Sequence, residues 1–483
     1  MSTSGGSAGN AAAGSGSVAG SPGAAGTGPL GTLALSELAI EPNPNMTISC
    51  FVSWKTSEPA SSEVQFGETD YAFRIRDATL VTDHRVLVIG MHASKKYKLK
   101  AVSSTATATG SLEGEFTAGK LPSGIPAPML TESDFASSQV GWTLMNIQSS
   151  FQAPAAIVMY DQNGVPVWYF IQGTSGDSRG DISADFTPQK TVLVGPAPRE
   201  PVREVDLSGE VVWEGPTNTN QAEIQTHFAN KTLAGNYIIN RELDKDGQSG
   251  STRVDNQVLE EFSPSKQVVW SWNMFDHVEP SGSSEELCHG NSVTFDEPGG
   301  FVYYNCRYLG IFKIERASGN VLWRIGGTHD ETSLGPGDFT FDPPASKFSD
   351  AHDPEFHADG TVLLYDNGGF AGLGGNNSNF HTRVLEYQVD QTAKTATRVW
   401  EFPGDFAVDA WYKEDWYAPY WGDADQLAND NVLITAGVNG SVQSRVFEVT
   451  RAGKVVWELT FPANNGIYRA ERLSPPPLVE TMP

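Results

Sequence analysis

Within CHGNSVTFDEPGGFVYYNCR, residues 288–307, an imidazole, an amide and a guanidinium fall at His289, Asn291 and Arg307, spacings that one β-hairpin could bring together. The alternation in SVTF and FVYYN reads as two strands, and DEPGG supplies the turn chemistry between them. A turn centred near Pro298 sets His289 roughly opposite Arg307 and Asn291 roughly opposite Asn305. Side chains two apart share a face, so His289, Asn291 and Arg307 are expected to point the same way. Arg brings a planar fork of donors and Asn a neutral one, a set suited to a tetrahedral oxyanion. The competing reading is a buried polar hairpin that closes a core. Cys288 and Cys306 lie diagonally across the same hairpin, where one bridge could pin His289 and Arg307; the alternative is two small buried thiols.

A repeat supplies the scaffold that such residues need. A strand ending in Gly-x-Val-x-Trp or a near relative recurs at Trp168, Trp213, Trp270, Trp323, Trp400 and Trp457, six copies in all. Between them a turn followed by an apolar strand recurs at LAGNYIINREL, PGGFVYYNCRY, ADGTVLLYDNG and NDNVLITAG. These spacings fit four-stranded blades, so residues 139–483 are read as a six-bladed β-propeller, each tryptophan packing between neighbouring blades. His227, His289 and His352 each precede the turn-and-strand signature by a similar interval, so three blades would aim imidazoles at the axis. Two chemistries suit that cluster. Three neutral imidazoles with an open position suit zinc, although Arg307 beside a dication argues for an anionic guest instead. The other is sulfuryl or phosphoryl transfer, with one imidazole as nucleophile, a second as general acid and base, and Arg307 with Asn291 on the equatorial oxygens.

Composition narrows the partners. The 483 residues carry 58 acidic against 32 basic side chains, a formal net charge of −26. That balance speaks against nucleic acid and against an anionic lipid surface, leaving a small anion in a locally cationic site. Three cysteines are too few for a disulfide scaffold, and no apolar run is long enough to span a membrane. Residues 1–29, rich in Gly, Ala and Ser, read as a flexible tether of the kind that follows a removed signal or a lipid-modified cysteine in exported bacterial proteins. Residues 30–119 alternate in about seven short strands and read as a β-sandwich resembling a fibronectin type III domain, with Trp54 as core tryptophan and Tyr97 as corner tyrosine. His84 and His92 are expected to be structural or surface residues there, and residues 120–138, rich in Pro and Ser, to be a linker. DAWYKEDWYAPYWGDADQ, with Trp411, Trp416, Tyr417, Tyr420 and Trp421, is either a packed loop or an aromatic rim at the channel mouth.

The runs HGNSVTFDEPGGFVYYNCRYLGIFKIERASGNVLWRIGG and HDPEFHADGTVLLYDNGG, followed by RVLEYQVD, resemble the bacterial arylsulfate sulfotransferase family over most of residues 139–460. The His-x-Asn with an Arg eighteen residues after the His is the most specific part of the likeness. The resemblance implies a six-bladed propeller behind a fibronectin-like domain, an exported enzyme of the periplasm or cell surface, and PAPS-independent transfer with no metal or cofactor. It implies that His289, Asn291 and Arg307 bind the sulfuryl group, that His227 is the first channel histidine, and that His352 is transiently sulfated. The reaction so implied is ping-pong between a phenolic sulfate donor and a phenolic acceptor. His357 and His381 are rival positions for the nucleophile. A non-catalytic envelope propeller that binds polymer or protein, and a metal-dependent hydrolase, are the alternatives.

Overall fold

The computed structural model describes residues 30–148, 155–172, 183–195, 201–216, 223–244, 255–278, 288–296, 298–327, 337–368, 382–404, 417–419, 421–437 and 443–482. Residues 1–29, expected to be a tether, lie outside them. Among the described residues no helix is long and apolar enough to cross a membrane.

The protein is all-β, and six four-stranded antiparallel units make a propeller. Blade 1 holds Trp142–Ile147, Ala155–Tyr160 and Pro166–Gln172, with Ala470–Leu473 as its innermost strand. The inner and outer strands of the next blades are Ala184–Phe186 and Val211–Glu214 in blade 2, and Glu223–Lys231 and Val268–Asn273 in blade 3. Blade 4 runs from Gly290–Asp296 to Val321–Ile325, blade 5 from Ala351–Phe356 to Thr395–Phe402, and blade 6 from Asp423–Gln426 to Val455–Thr460.

The tryptophan repeat has a mechanical cause. Each of the six tryptophans lies on an outer strand and donates its indole N–H to the following blade. Trp168 reaches Leu207 O, Trp213 Pro264 O, Trp270 Arg316 O, Trp400 Arg451 O and Trp457 Gln162 O, at 2.8–3.0 Å. Trp323 reaches the side chain of Gln391 instead, at 3.3 Å. The motif glycine four residues earlier sits in the left-handed region at Gly164, Gly209, Gly319 and Gly453, with φ between 75° and 82°. That conformation, cheap for Gly, turns the chain tightly into the outer strand.

Residues 30–119 contribute six strands to a seven-stranded sheet. Its spine is Cys50–Gly67, whose first half pairs with Leu35–Pro42 and whose second half pairs with Lys96–Ser104. Trp54, Val64, Phe66, Tyr97 and Leu99 fill its core, which is continuous with that of blades 1 and 6. Two strands depart from the expected boundaries. The seventh strand of this sheet is Glu480–Thr481, from beyond the propeller, paired with Phe73–Val88. Within the expected linker, Met129–Ser133 forms a strand against Val455–Thr460. It covers the outer edge of blade 6, where unpaired backbone groups would otherwise face solvent.

Candidate active site

The inner strands of blades 3 to 6 are entered or interrupted by residues with left-handed backbone: His227 (φ 66°), His289 (φ 53°), Asp350 (φ 57°), Asp353 (φ 41°) and Trp421 (φ 62°). Non-glycine residues seldom adopt this conformation, and its recurrence at one level of the propeller turns side chains off the regular pleat. Strand pairing slips beside His227, between Gln225 and Ala229, and beside His352, between His352 and Glu355.

Three predicted histidines come together. His227 Nε2 and His289 Nε2 are 3.0 Å apart with the rings edge to face, so one nitrogen donates and the other accepts. His352 is buried, and its charge state senses both rings and Arg307. Burial, then the Arg307 guanidinium, holds its pKa well below the usual imidazole value, against the opposing hydrogen bond to Asn367. That bond also fixes the tautomer. Asn367 Nδ2 donates to Ala418 O and Trp421 O, both at 2.7 Å, which leaves Oδ1 facing His352 Nδ1 at 2.6 Å. Nδ1 therefore carries the proton, and Nε2 keeps its lone pair.

The hairpin holds the remaining groups. Arg307 N–H donates to His289 O, placing these residues opposite one another as expected. The Arg307 guanidinium donates to Pro419 O at 2.7 Å and lies 3.6 Å from Asp350. Cys288 and Cys306 form a disulfide directly beside both residues. Asn291 is placed differently. A bulge pairs Ser292, and not Asn291, with Asn305. The Asn291 amide donates to Ala351 O at 2.9 Å and accepts from Asn305 Nδ2 at 2.7 Å, tying blade 4 to the residue before His352.

Sequence reasoning missed Asn367, Tyr468 and Arg469. Tyr468 and Arg469 immediately precede the inner strand of blade 1, yet Tyr468 Oη and Arg469 Nη2 donate to Asn291 O in blade 4, at 3.1 and 2.6 Å. They thus cross the propeller axis. The Tyr468 ring stands 6.2 Å from both His227 and His352. Their position at the start of an inner strand is close to the one His289 and His352 hold, a signal visible once the closing strand is assigned to blade 1. Beyond Arg469 lies a cavity of about 410 Å³ lined by Asp185, Asp353, Glu355, Asp423, Asp425 and Glu471 among others. Arg469 pairs with Asp353 at 3.1 Å. Among the described residues, the ligand atoms grouped closely enough for one metal ion belong to Asp353, Asp423 and Asp425, not to the three histidines.

The remaining histidines among the described residues, and Arg383 on blade 5, find plain partners. His84 is buried between Thr56 and Ser62 and stacks on Trp54. His92 lies 3.0 Å from Asp161, His277 stacks on Trp272, and His357 bonds Thr361 and sits 3.2 Å from Glu355. Arg383 pairs with Asp366 at 2.8 Å. Of the aromatic loop, Trp421 is buried and packs edge-on to Tyr468. Tyr417, partly buried, senses Asp350 and Arg307. Trp411, Trp416, Tyr420, His329 and His381 lie outside the described residues.

Residues 131–469 match the family model for arylsulfotransferase (ASST). No curated protein matches the sequence. Solved structures with distant likeness include the computationally designed protein Ika8, at 9% identity and TM-score 0.32 over 90% of this chain and 98% of that one. A gluconolactonase from Xanthomonas campestris follows at 10% and 0.31, over 71% and 97%. A quinonprotein alcohol dehydrogenase-like protein from Bacteroides thetaiotaomicron stands at 8% and 0.28, over 89% and 95%. These three are too distant to bear on function.

Proposed function

The chain belongs to the arylsulfotransferase family, and from that premise we propose that it moves a sulfuryl group from a phenolic sulfate ester to a phenol through a sulfated His352, without a nucleotide donor. The observation that carries this reading is the Asn367–His352 hydrogen bond at 2.6 Å, which leaves a neutral imidazole with its Nε2 lone pair available. Nε2 attacks sulfur, the S–O bond to the aryl group breaks, and the leaving phenolate takes a proton from the His227–His289 pair. An acceptor phenol then returns a proton to that pair, its oxygen attacks sulfur, and the N–S bond breaks. Arg307 stabilises the equatorial oxygens, worth about a hundred- to thousandfold in rate for such groups. Asn291 acts by holding Ala351, and so His352, in place. Apart from the two strands that cross the expected boundaries, the domains divide as expected, with residues 30–119 as a fibronectin type III-like unit. In its support, Tyr97 Oη accepts the His92 N–H and Trp54 fills the core. Work outside the cytoplasm, in the periplasm or at the cell surface, is supported by the Cys288–Cys306 disulfide, a bond of oxidising compartments.

The deciding experiment mixes metal-stripped protein with a chromogenic aryl sulfate, with and without excess phenol. Phenol-dependent colour release and an acid-labile sulfated peptide containing His352 are expected. Release that vanishes on stripping and returns with zinc would overturn the proposal in favour of a metal hydrolase.

A further inference from the structure

The position paired with the motif tryptophan on each third strand is a glutamate in four of the six blades. It is Glu204 opposite Trp213, Glu261 opposite Trp270, Glu386 opposite Trp400 and Glu448 opposite Trp457. Each buried carboxylate is met by donors from the next blade. Lys231 pairs with Glu204 at 2.6 Å, Arg316 with Glu261, and Arg451 with Glu386 at 2.8 Å. Glu448 accepts from Gln139 N–H and lies 3.6 Å from Arg472. Blade 1 has apolar Met159 there. Blade 4 inverts the charge, with Lys313 opposite Trp323.

Lys313 is 7% exposed, and the next blade offers it an amide oxygen, Gln391 Oε1 at 2.9 Å, but among the described residues no carboxylate within ion-pairing distance. A buried ammonium without a counter-charge is costly to keep. Burial holds its pKa below the ordinary lysine value, with Asp296 opposing and Lys394 adding to the depression. The ammonium lies 4.0 Å from the ring centre of Phe301 and 5.4 Å from that of Tyr303.

This boundary is also the one where the tryptophan bond reaches a side chain instead of the backbone. A cleft of about 440 Å³ opens there, within the usual size of small-ligand sites, lined by Tyr303, Lys313, Trp323, Phe356, His357 and Gln391 among others. Tyr303 and Phe356 stack 3.8 Å apart to make an aromatic wall. Asp296 also lines the cleft, with one oxygen held by Gly299 N–H. We propose that this cleft between blades 4 and 5 binds a small aromatic anion of the carboxylate or sulfonate class, its head group on Lys313 Nζ and its ring against Tyr303 and Phe356. No residue of the histidine cluster takes part, so the site stands independently of the transfer reaction.

The test is calorimetric titration of the full chain with benzoate, benzenesulfonate and, as neutral control, benzyl alcohol. The anions should bind one per chain in the cleft, separately from any held by Arg307 at the histidine cluster, with the alcohol at least about tenfold weaker at the cleft. Lys313→Met removes the charge, and Gln391→Glu restores the ion pair that sister blades possess while leaving Lys313 in place. Both should weaken anion binding at least about tenfold, while His352→Asn leaves it unchanged. Absence of binding to the unmodified protein, or binding within about twofold of it in both cleft variants, or binding lost in His352→Asn, would overturn the proposal.

Discussion

The two stretches of the propeller channel on either side of Arg469 are built from equivalent inner strands yet hold opposite chemistry. On one side stand His227, His289, His352 and Arg307; on the other, carboxyls converge from blades 1, 2, 5 and 6. Anions bound beside six carboxylates would be repelled, but the acidic stretch is not a full set of charges. Burial raises Asp185 to about 6 and Glu471 to about 8, and burial with Asp353 pushes Asp423 well above the carboxylate range. Arg469 keeps its charge: burial opposes it, but Asp353, Tyr468, Asp423 and Asp185 outweigh that cost. One stretch is thus quieted by desolvation and by one shared cation, while the other keeps its positive field for a guest.

The largest effect is expected of His352→Asn, which should cut aryl-sulfate turnover at least about a thousandfold and remove the sulfated peptide. Arg307→Gln comes next, with a loss of about a hundred- to thousandfold in kcat/KM. Asn367→Leu should lower kcat about tenfold by releasing the tautomer, whereas Asn367→Asp should retain activity and move its acid limb to higher pH. The sign follows from the depressed pKa of His352. The native ring stays neutral below the unfolded value of about 6.5, so the unfolded chain binds the extra proton in that window. The stability this group contributes is therefore present above pH of about 6.5 and lost as pH falls through the folded value; an anionic partner shrinks the window. Unfolding midpoints measured from pH 7 downward would check it. Replacing Cys288 and Cys306 by Ser should cost about 3 kcal/mol in denaturant melts and lower turnover a few-fold, by loosening His289 and Arg307. Asp423→Asn, on the quiet side, should leave kcat/KM within about twofold; a larger drop would show that this carboxyl carries charge.

The propeller was legible because its repeat encodes two local necessities, a left-handed turn and an indole N–H seeking the next blade. The histidines were legible because equivalent positions in successive blades share one level. Asn291 misled as to register, since a bulge leaves no mark in an alternating strand. Asn367 was illegible because YDNGG reads as turn chemistry, and nothing local reveals that its amide is clamped by Ala418 and Trp421 from another segment. Tyr468 and Arg469 escaped because their role depends on pairing Leu144 with Glu471, a contact between distant parts of the chain.

That pairing also has a consequence in time. Strands adjacent in sequence can form early, but blade 1 waits for Ala470–Leu473 to find Trp142–Ile147, a long-range closure that is entropically slow. Tyr468 and Arg469 arrive with that strand, so the partition between imidazoles and carboxyls is installed in the same event that closes the ring. During refolding, ring closure and the appearance of catalytic competence should share a single rate constant.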